Sequence, residues 1–193
     1  MNNTLWAPWR MDYIKSLDAP PGTGATPAGA PPANAEAACF LCENARVDLA
    51  NAAQAAQHLL LWRNEHGLIV LNRYPYTTGH LLVAPVAHLE DLTDLTVDQQ
   101  AGLMTLTVLA EKVVRLAFNP QGINIGINLG RCAGAGLPGH MHLHIVPRWN
   151  GDTNFVNVVG QVRIIPQALE RSYDLLREAL AAITGQPARP VAG

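Results

Sequence analysis

Three histidines alternate along His140-Met141-His142-Leu143-His144-Ile145-Val146. On an extended strand successive side chains point to opposite faces, so His140, His142 and His144 share one face while Met141, Leu143 and Ile145 share the other, which reads as core. Neutral imidazole is the commonest metal ligand near neutral pH. It is also a nucleophile and a general acid or base whose pKa lies near the working range. The spacing alone leaves both chemistries open. Immediately upstream, the loop from Gly130 to Gly139 includes Gly134, Gly136 and Gly139. Such a loop lets successive backbone N–H groups converge on an anion lying against the face that carries His140, and phosphate is the natural guest. Asn72, Asn124 and Asn128 add neutral donors and acceptors of the kind that read ribose hydroxyls. A second cluster of reactive types, Cys39-Phe40-Leu41-Cys42, has the C-x-x-C spacing of a zinc half-site or a redox pair, or is simply two buried thiols.

The surrounding pattern shows what must hold these groups. Apolar runs at Leu59 to Trp62 and Leu68 to Asn72 bracket Asn64-Glu65-His66-Gly67 and predict a hairpin. His80 to Val86 predicts a third strand after a Pro75 to Gly79 turn. Thr96 with Gln99 forms a capping-box pattern, and Leu103, Leu106, Ala110, Val113 and Ala117 recur at helical spacing until Asn119-Pro120. Strands at Ile123 to Leu129 and His140 to Val146 follow. A last helix is expected from Pro166, with Leu169, Tyr173, Leu176, Leu180 and Ile183 on one face, ending at Gly185. The order βββαββα predicts an α+β fold with a mostly antiparallel five-stranded sheet and two main helices.

The 193 residues are 49% hydrophobic and 15% charged with a formal net charge of −2, so no basic field is present to grip a nucleic acid. No apolar run reaches the roughly 18 residues of a membrane span, and Met1 to Arg10 has neither a basic n-region nor an apolar h-region; a cytoplasmic globular protein is expected. Three cysteines, an odd and sparse set, argue against a disulfide framework. Residues 18–38, almost entirely Ala, Pro and Gly, have too few large apolar groups to offset the entropy of ordering them and read as a flexible insert. They separate an N-terminal arm, residues 1–17, with Trp6 and Trp9 as aromatic anchors, from a main domain over residues 39–193.

His140 to Val146 matches the signature of the histidine triad (HIT) superfamily, and Asn72-Arg73-Tyr74-Pro75 through Gly79-His80-Leu81-Leu82-Val83 is similar to that family's other shared segment. The resemblance covers roughly Cys39 to Phe155. Leu5-Trp6-Ala7-Pro8-Trp9-Arg10 and Pro147-Arg148-Trp149-Asn150-Gly151-Asp152-Thr153-Asn154-Phe155 resemble the bacterial diadenosine tetraphosphate phosphorylase branch. It implies a HIT fold and nucleotidyl transfer on dinucleoside polyphosphates through a nucleotidyl-histidine. His142 would attack the α-phosphorus, His144 would contact the α-phosphate, and His80 would support them from the adjacent strand. Asn72 falls where relatives contact ribose, and Asn128 where they place a polar side chain near the leaving group. The Ser or Gln that often precedes the triad is replaced here by Leu137-Pro138-Gly139. His144 stands where hexose-1-phosphate uridylyltransferases carry Gln, which disfavours that branch. The resemblance also implies a structural zinc on Cys39, Cys42, His88 and His140, no organic cofactor, a nucleotide as partner and a homodimer or higher homo-oligomer. Two alternatives are a HIT-type hydrolase of phosphoramidates or dinucleoside polyphosphates, and a nucleotide-binding sensor with negligible turnover. A third makes the whole histidine row a metal site.

Overall fold

The computed structural model describes residues 39–152, 165 and 167–185. The N-terminal arm, the Ala/Pro/Gly insert, Pro166 and the stretch from Thr153 to Phe155 lie outside the described residues. The five strands are β1 (Leu60–Arg63), β2 (Gly67–Leu71), β3 (Leu81–Pro85), β4 (Gly122–Ile127) and β5 (Leu143–Arg148). They form the expected five-stranded antiparallel sheet, in the order β1-β2-β3-β5-β4. The helices are α1 (Phe40–Arg46), α2 (Ala52–Gln57), α3 (Val97–Phe118) and α4 (Leu169–Thr184). α1 and α2 were not expected: one is seven residues long and the other is Ala- and Gln-rich, so neither shows an apolar stripe.

Helix α3 starts where the capping box requires. Thr96 Oγ1 accepts from the Gln99 N–H at 3.2 Å, and Gln99 Oε1 accepts from the Thr96 N–H at 2.9 Å. Its inward stripe, Leu103, Leu106, Ala110, Val113 and Val114, packs on β2, β3 and β5 and on α4. Gly67 permits that approach, because a Cβ there would run into the Ala84 carbonyl of β3 and Leu106 of the helix. The helix stops at Asn119-Pro120 as expected, with Asn119 closing α3 in the left-handed region. The start of the last helix is corrected. α4 begins at Leu169 after an extended Ala168, not at Pro166, and ends on a left-handed Gly185 as expected. Tyr173 ties α4 to the sheet edge by donating its O–H to the Leu60 carbonyl at 2.8 Å. Burial pushes this phenol's pKa up to about 12.

The strand carrying the histidines is also shorter than expected. β5 begins at Leu143, registered with Val83 of β3 and Ile127 of β4, so His140 and His142 precede the ladder and only His144 lies within it. The alternation of Met141, Leu143 and Ile145 into the core is as the period of two predicts. No helix among the described residues is long and apolar enough to cross a membrane.

Candidate functional site

Two histidine clusters flank the start of β5. In the first, α1 supplies Cys42 and its N-cap Cys39, the loop after β3 supplies His88, and the lead-in to β5 supplies His140. Cys39 Sγ and Cys42 Sγ lie 3.3 and 3.5 Å from His140 Nδ1, and Cys42 Sγ lies 3.1 Å from His88 Nδ1. The four ligand atoms fall within 4.8 Å of one another. Cys39, Cys42 and His140 are buried. The far nitrogen of His140, Nε2, donates to the Pro85 carbonyl at 3.0 Å, which leaves the Nδ1 lone pair aimed at the thiols. Two soft sulfurs and two imidazoles, closed and sheltered from water, are the donor set of a tetrahedral structural zinc. The residues present therefore fit that ion. Placed above on the phosphate face as well as in the metal set, His140 has its ring wholly in this cluster and none of it exposed.

The second cluster is His80, His142 and His144. Gly79 delivers His80 from a left-handed turn packed on Phe118. The Tyr76 N–H donates to His80 Nδ1 at 3.1 Å, with the Asn72 amide nitrogen 3.2 Å from the same atom. His80 therefore carries its proton on Nε2 and donates it to His144 Nδ1 at 2.9 Å, so a neutral His144 presents Nε2–H outward. Burial, and secondarily the neighbouring His142, lower the His144 pKa from 6.5 to about 4. Near neutral pH His144 is thus an uncharged donor. His142 donates Nδ1–H to the His140 carbonyl at 2.9 Å, the tautomer that puts the lone pair of a neutral ring on Nε2. Its ring meets that of His144 edge-on with centroids 4.9 Å apart.

Beside His144 opens a groove of about 440 Å³ lined by Tyr76, Thr77, Asn124, Asn128, Val146, Arg148 and Asp152. Asn128 joins the cluster, its amide 3.5 Å from both His144 Nε2 and the Gly134 carbonyl. Gly134 and Gly136 face open space, but the loop partly closes on itself: the Gly134 N–H donates to Arg131 O and the Ala135 N–H to Gly130 O. Those two donors are spent on a short 3₁₀ turn, Arg131–Ala133, which the glycine content did not foretell. Gly139 lies against His88, 3.5 Å from its Nε2 to a notional Cβ, and so borders the cysteine cluster. Asn72 sits beside His80 and also accepts the Tyr74 N–H at 2.9 Å.

Three participants were not singled out from the sequence. Tyr76 lies over both His80 and His144, at 4.6 and 5.7 Å between ring centroids. Arg148 forms a two-pronged ion pair with Asp152 at 2.6 and 2.9 Å and reaches Asn124 Oδ1 at 3.0 Å. The backbone carbonyls of Pro85 and His140 fix two ring orientations, and no residue type encodes a carbonyl's direction.

Comparison with known proteins agrees with this geometry. The family model for the HIT domain matches residues 46–151. An AP-4-A phosphorylase from Mycobacterium tuberculosis (strain ATCC 25618 / H37Rv) is 37% identical over 188 residues, spanning 89% of this chain and 81% of that one. A bis(5'-nucleosyl)-tetraphosphatase (asymmetrical) from Schizosaccharomyces pombe is 33% identical over 48% of this chain and 50% of its own. Among solved structures, a Zn-bound histidine triad family protein from Mycobacterium smegmatis superposes with a TM-score of 0.60 at 32% identity, covering 79% of this chain and 99% of that chain.

Proposed function

The chain belongs to the HIT domain family, and from that premise we propose that it is an enzyme of nucleotidyl transfer that phosphorolyses diadenosine tetraphosphate to ATP and ADP. The observation that carries the reading is the His142 hydrogen bond: with Nδ1–H held by the His140 carbonyl at 2.9 Å, the lone pair of the neutral ring is on Nε2, the nitrogen that would attack phosphorus. In the first step Nε2 forms a bond to the α-phosphorus, the bond from phosphorus to the bridging oxygen breaks, and ATP leaves carrying the electron pair. In the second, an oxygen of inorganic phosphate attacks the adenylyl group, the P–N bond breaks back to His142, and ADP leaves. The outward Nε2–H of His144 meets the charge on the α-phosphoryl oxygens, with its tautomer fixed by His80. Because His144 is neutral, it contributes this hydrogen bond without taking up a proton near neutral pH. Asn128 and the Gly134 loop border the phosphate path, and Asn72 takes the ribose side.

Cys39, Cys42, His88 and His140 hold the zinc of this reading. Bound there, the ion supplies a cross-link with no open coordination position. The homo-oligomer is proposed through β4, a sheet edge with Ile125 exposed, and the neighbouring apolar groove of Leu92, Leu95, Met104 and Ile127. The tetraphosphatase relative favours one alternative, in which water replaces phosphate as acceptor. Incubating the protein with diadenosine tetraphosphate, with and without inorganic phosphate, separates the two. ATP plus ADP formed only with phosphate is the expected result, and ATP plus AMP in both arms makes it a hydrolase. No products, or equal products from His142→Ala, refute the reading.

A further inference from the structure

The groove beside His144 continues past the triad. On the sheet face it follows His144, Val146 and Arg148 of β5 and Gly126 and Asn124 of β4. A Cβ built on Gly126 meets nothing within 4 Å, so the floor is open there. Thr77 Oγ1 donates to the Pro147 carbonyl at 2.8 Å and holds the wall that carries Tyr76. Arg148 stands at the far end. Its Nε and Nη2 donate to Asp152 Oδ2 and Oδ1 at 2.6 and 2.9 Å, and its Nη1 donates to Asn124 Oδ1 at 3.0 Å. The Trp149 N–H donates to Asp152 Oδ2 at 3.1 Å and holds the carboxylate in turn. Three in-plane contacts thus brace a guanidinium whose side chain is still 44% exposed.

Such a group is a poor grip for phosphate. Its charge is matched by Asp152 and each of its three nitrogens already donates, so what it has chiefly left to offer is a rigid flat face. A flat face stacks on a nucleobase, whichever base is present. The Asn124 amide nitrogen, without a partner among the described residues, adds a donor beside it. The position fits as well. Asn72, which takes the ribose of the attacked nucleotide in the reading above, follows β2, whereas the groove lies toward β4, across His80 and His144 in the sheet order. In-line attack by His142 sends the departing oxygen away from that residue. Arg148 lies four residues beyond His144 on the side away from His142, about 13 Å along the strand. A leaving triphosphate is long enough to carry its nucleoside there. We propose that Arg148, braced by Asp152 and Asn124, is the specificity-determining residue of a second nucleoside subsite, where the guanidinium face stacks on the base of the nucleotide that leaves. The inference rests on the reading above for which nucleotide is attacked.

The test measures binding rather than turnover, by calorimetry at one pH and salt concentration, on wild type, Arg148→Lys and Asn124→Ala. Each is titrated with matched non-cleavable analogues of diadenosine tetraphosphate and of adenosine 5'-tetraphosphate, which lacks the second nucleoside. Wild type is expected to bind the dinucleoside about 10-fold more tightly than the mononucleoside. Arg148→Lys keeps the charge beside Asp152 but not the flat face, and should cut that preference to about twofold or less. Asn124→Ala, at an exposed position of the edge strand, should cut it about threefold. Equal loss of both ligands in Arg148→Lys, or loss of neither, overturns the proposal, as does a wild type with no preference for the dinucleoside. If Arg148→Lys does not fold, Asn124→Ala decides, and an unchanged preference there overturns it. A wild type that shows the Arg148-dependent preference but forms no products in the turnover assay keeps the subsite and refutes the nucleophile.

Discussion

The cysteine cluster and the triad cluster are built from the same side chain in adjacent positions, yet they are organised in opposite ways. In the cysteine cluster the imidazole nitrogens converge: His140 and His88 both turn Nδ1 toward sulfur, and His140 commits Nε2–H to the Pro85 carbonyl. In the triad cluster they act in series: Tyr76 N–H to His80, His80 to His144, and the Nε2 end of His144, with Asn128 3.5 Å away, beside the groove. Convergence in a closed site suits a coordination sphere. A chain of donors ending at an open groove suits the proposed role of meeting charge on a substrate. Residue type does not distinguish the two; the partners of the ring nitrogens do.

Substitutions should separate the clusters by what they damage. His142→Ala is expected to lower turnover of diadenosine tetraphosphate on the order of 10³-fold or more, as the proposed nucleophilic role requires, while lowering the melting temperature less than loss of a cysteine from the other cluster does. A loss of stability with turnover retained would give the buried His142 a structural role instead. Cys42→Ser should reverse the emphasis. It removes a buried ligand and is expected to cost about 3–5 kcal/mol, or about 6–20 °C in Tm for a chain of this size, together with bound zinc. Calorimetry with metal analysis checks both.

A smaller effect follows from His144. Its folded pKa of about 4 lies below the ordinary 6.5, so between those values the unfolded chain binds a proton that the folded chain refuses. Stability therefore falls as pH drops through that window, and His144 makes no such demand above it. His144→Gln should flatten the acid side of a Tm–pH curve, while Cys42→Ser should keep that contribution. Smallest of all, Asn128→Ala removes an amide 3.5 Å from His144 Nε2 and is expected to cost about 3–10-fold in turnover with no change in zinc content.

Much of this was legible in the residues. The capping box at Thr96 and Gln99, the stop at Asn119, and the inward turn of Met141, Leu143 and Ile145 depend on neighbours in the chain, and local pattern reports local geometry. The α4 start was misplaced because Pro166 fits a first helical turn by itself, whereas the backbone stays extended at Ala168. The division of the histidine row was legible only through the family resemblance, which put His140 with Cys39, Cys42 and His88, and not from spacing. It depends on Cys39 and Cys42, about a hundred positions away, arriving on a seven-residue helix with no apolar period of its own. Tyr76 escaped notice because it acts through its backbone N–H and its ring face, and neither is implied by a tyrosine two residues after another.

The measurement that bears most directly on the account is the site of the covalent intermediate. Zinc-loaded protein mixed with diadenosine tetraphosphate without inorganic phosphate, then quenched at high pH and analysed by peptide mass spectrometry, should carry one adenylyl group on His142, and a chase with inorganic phosphate should release it as ADP. An adduct on another residue, or turnover to products with no adduct at any time, would contradict it.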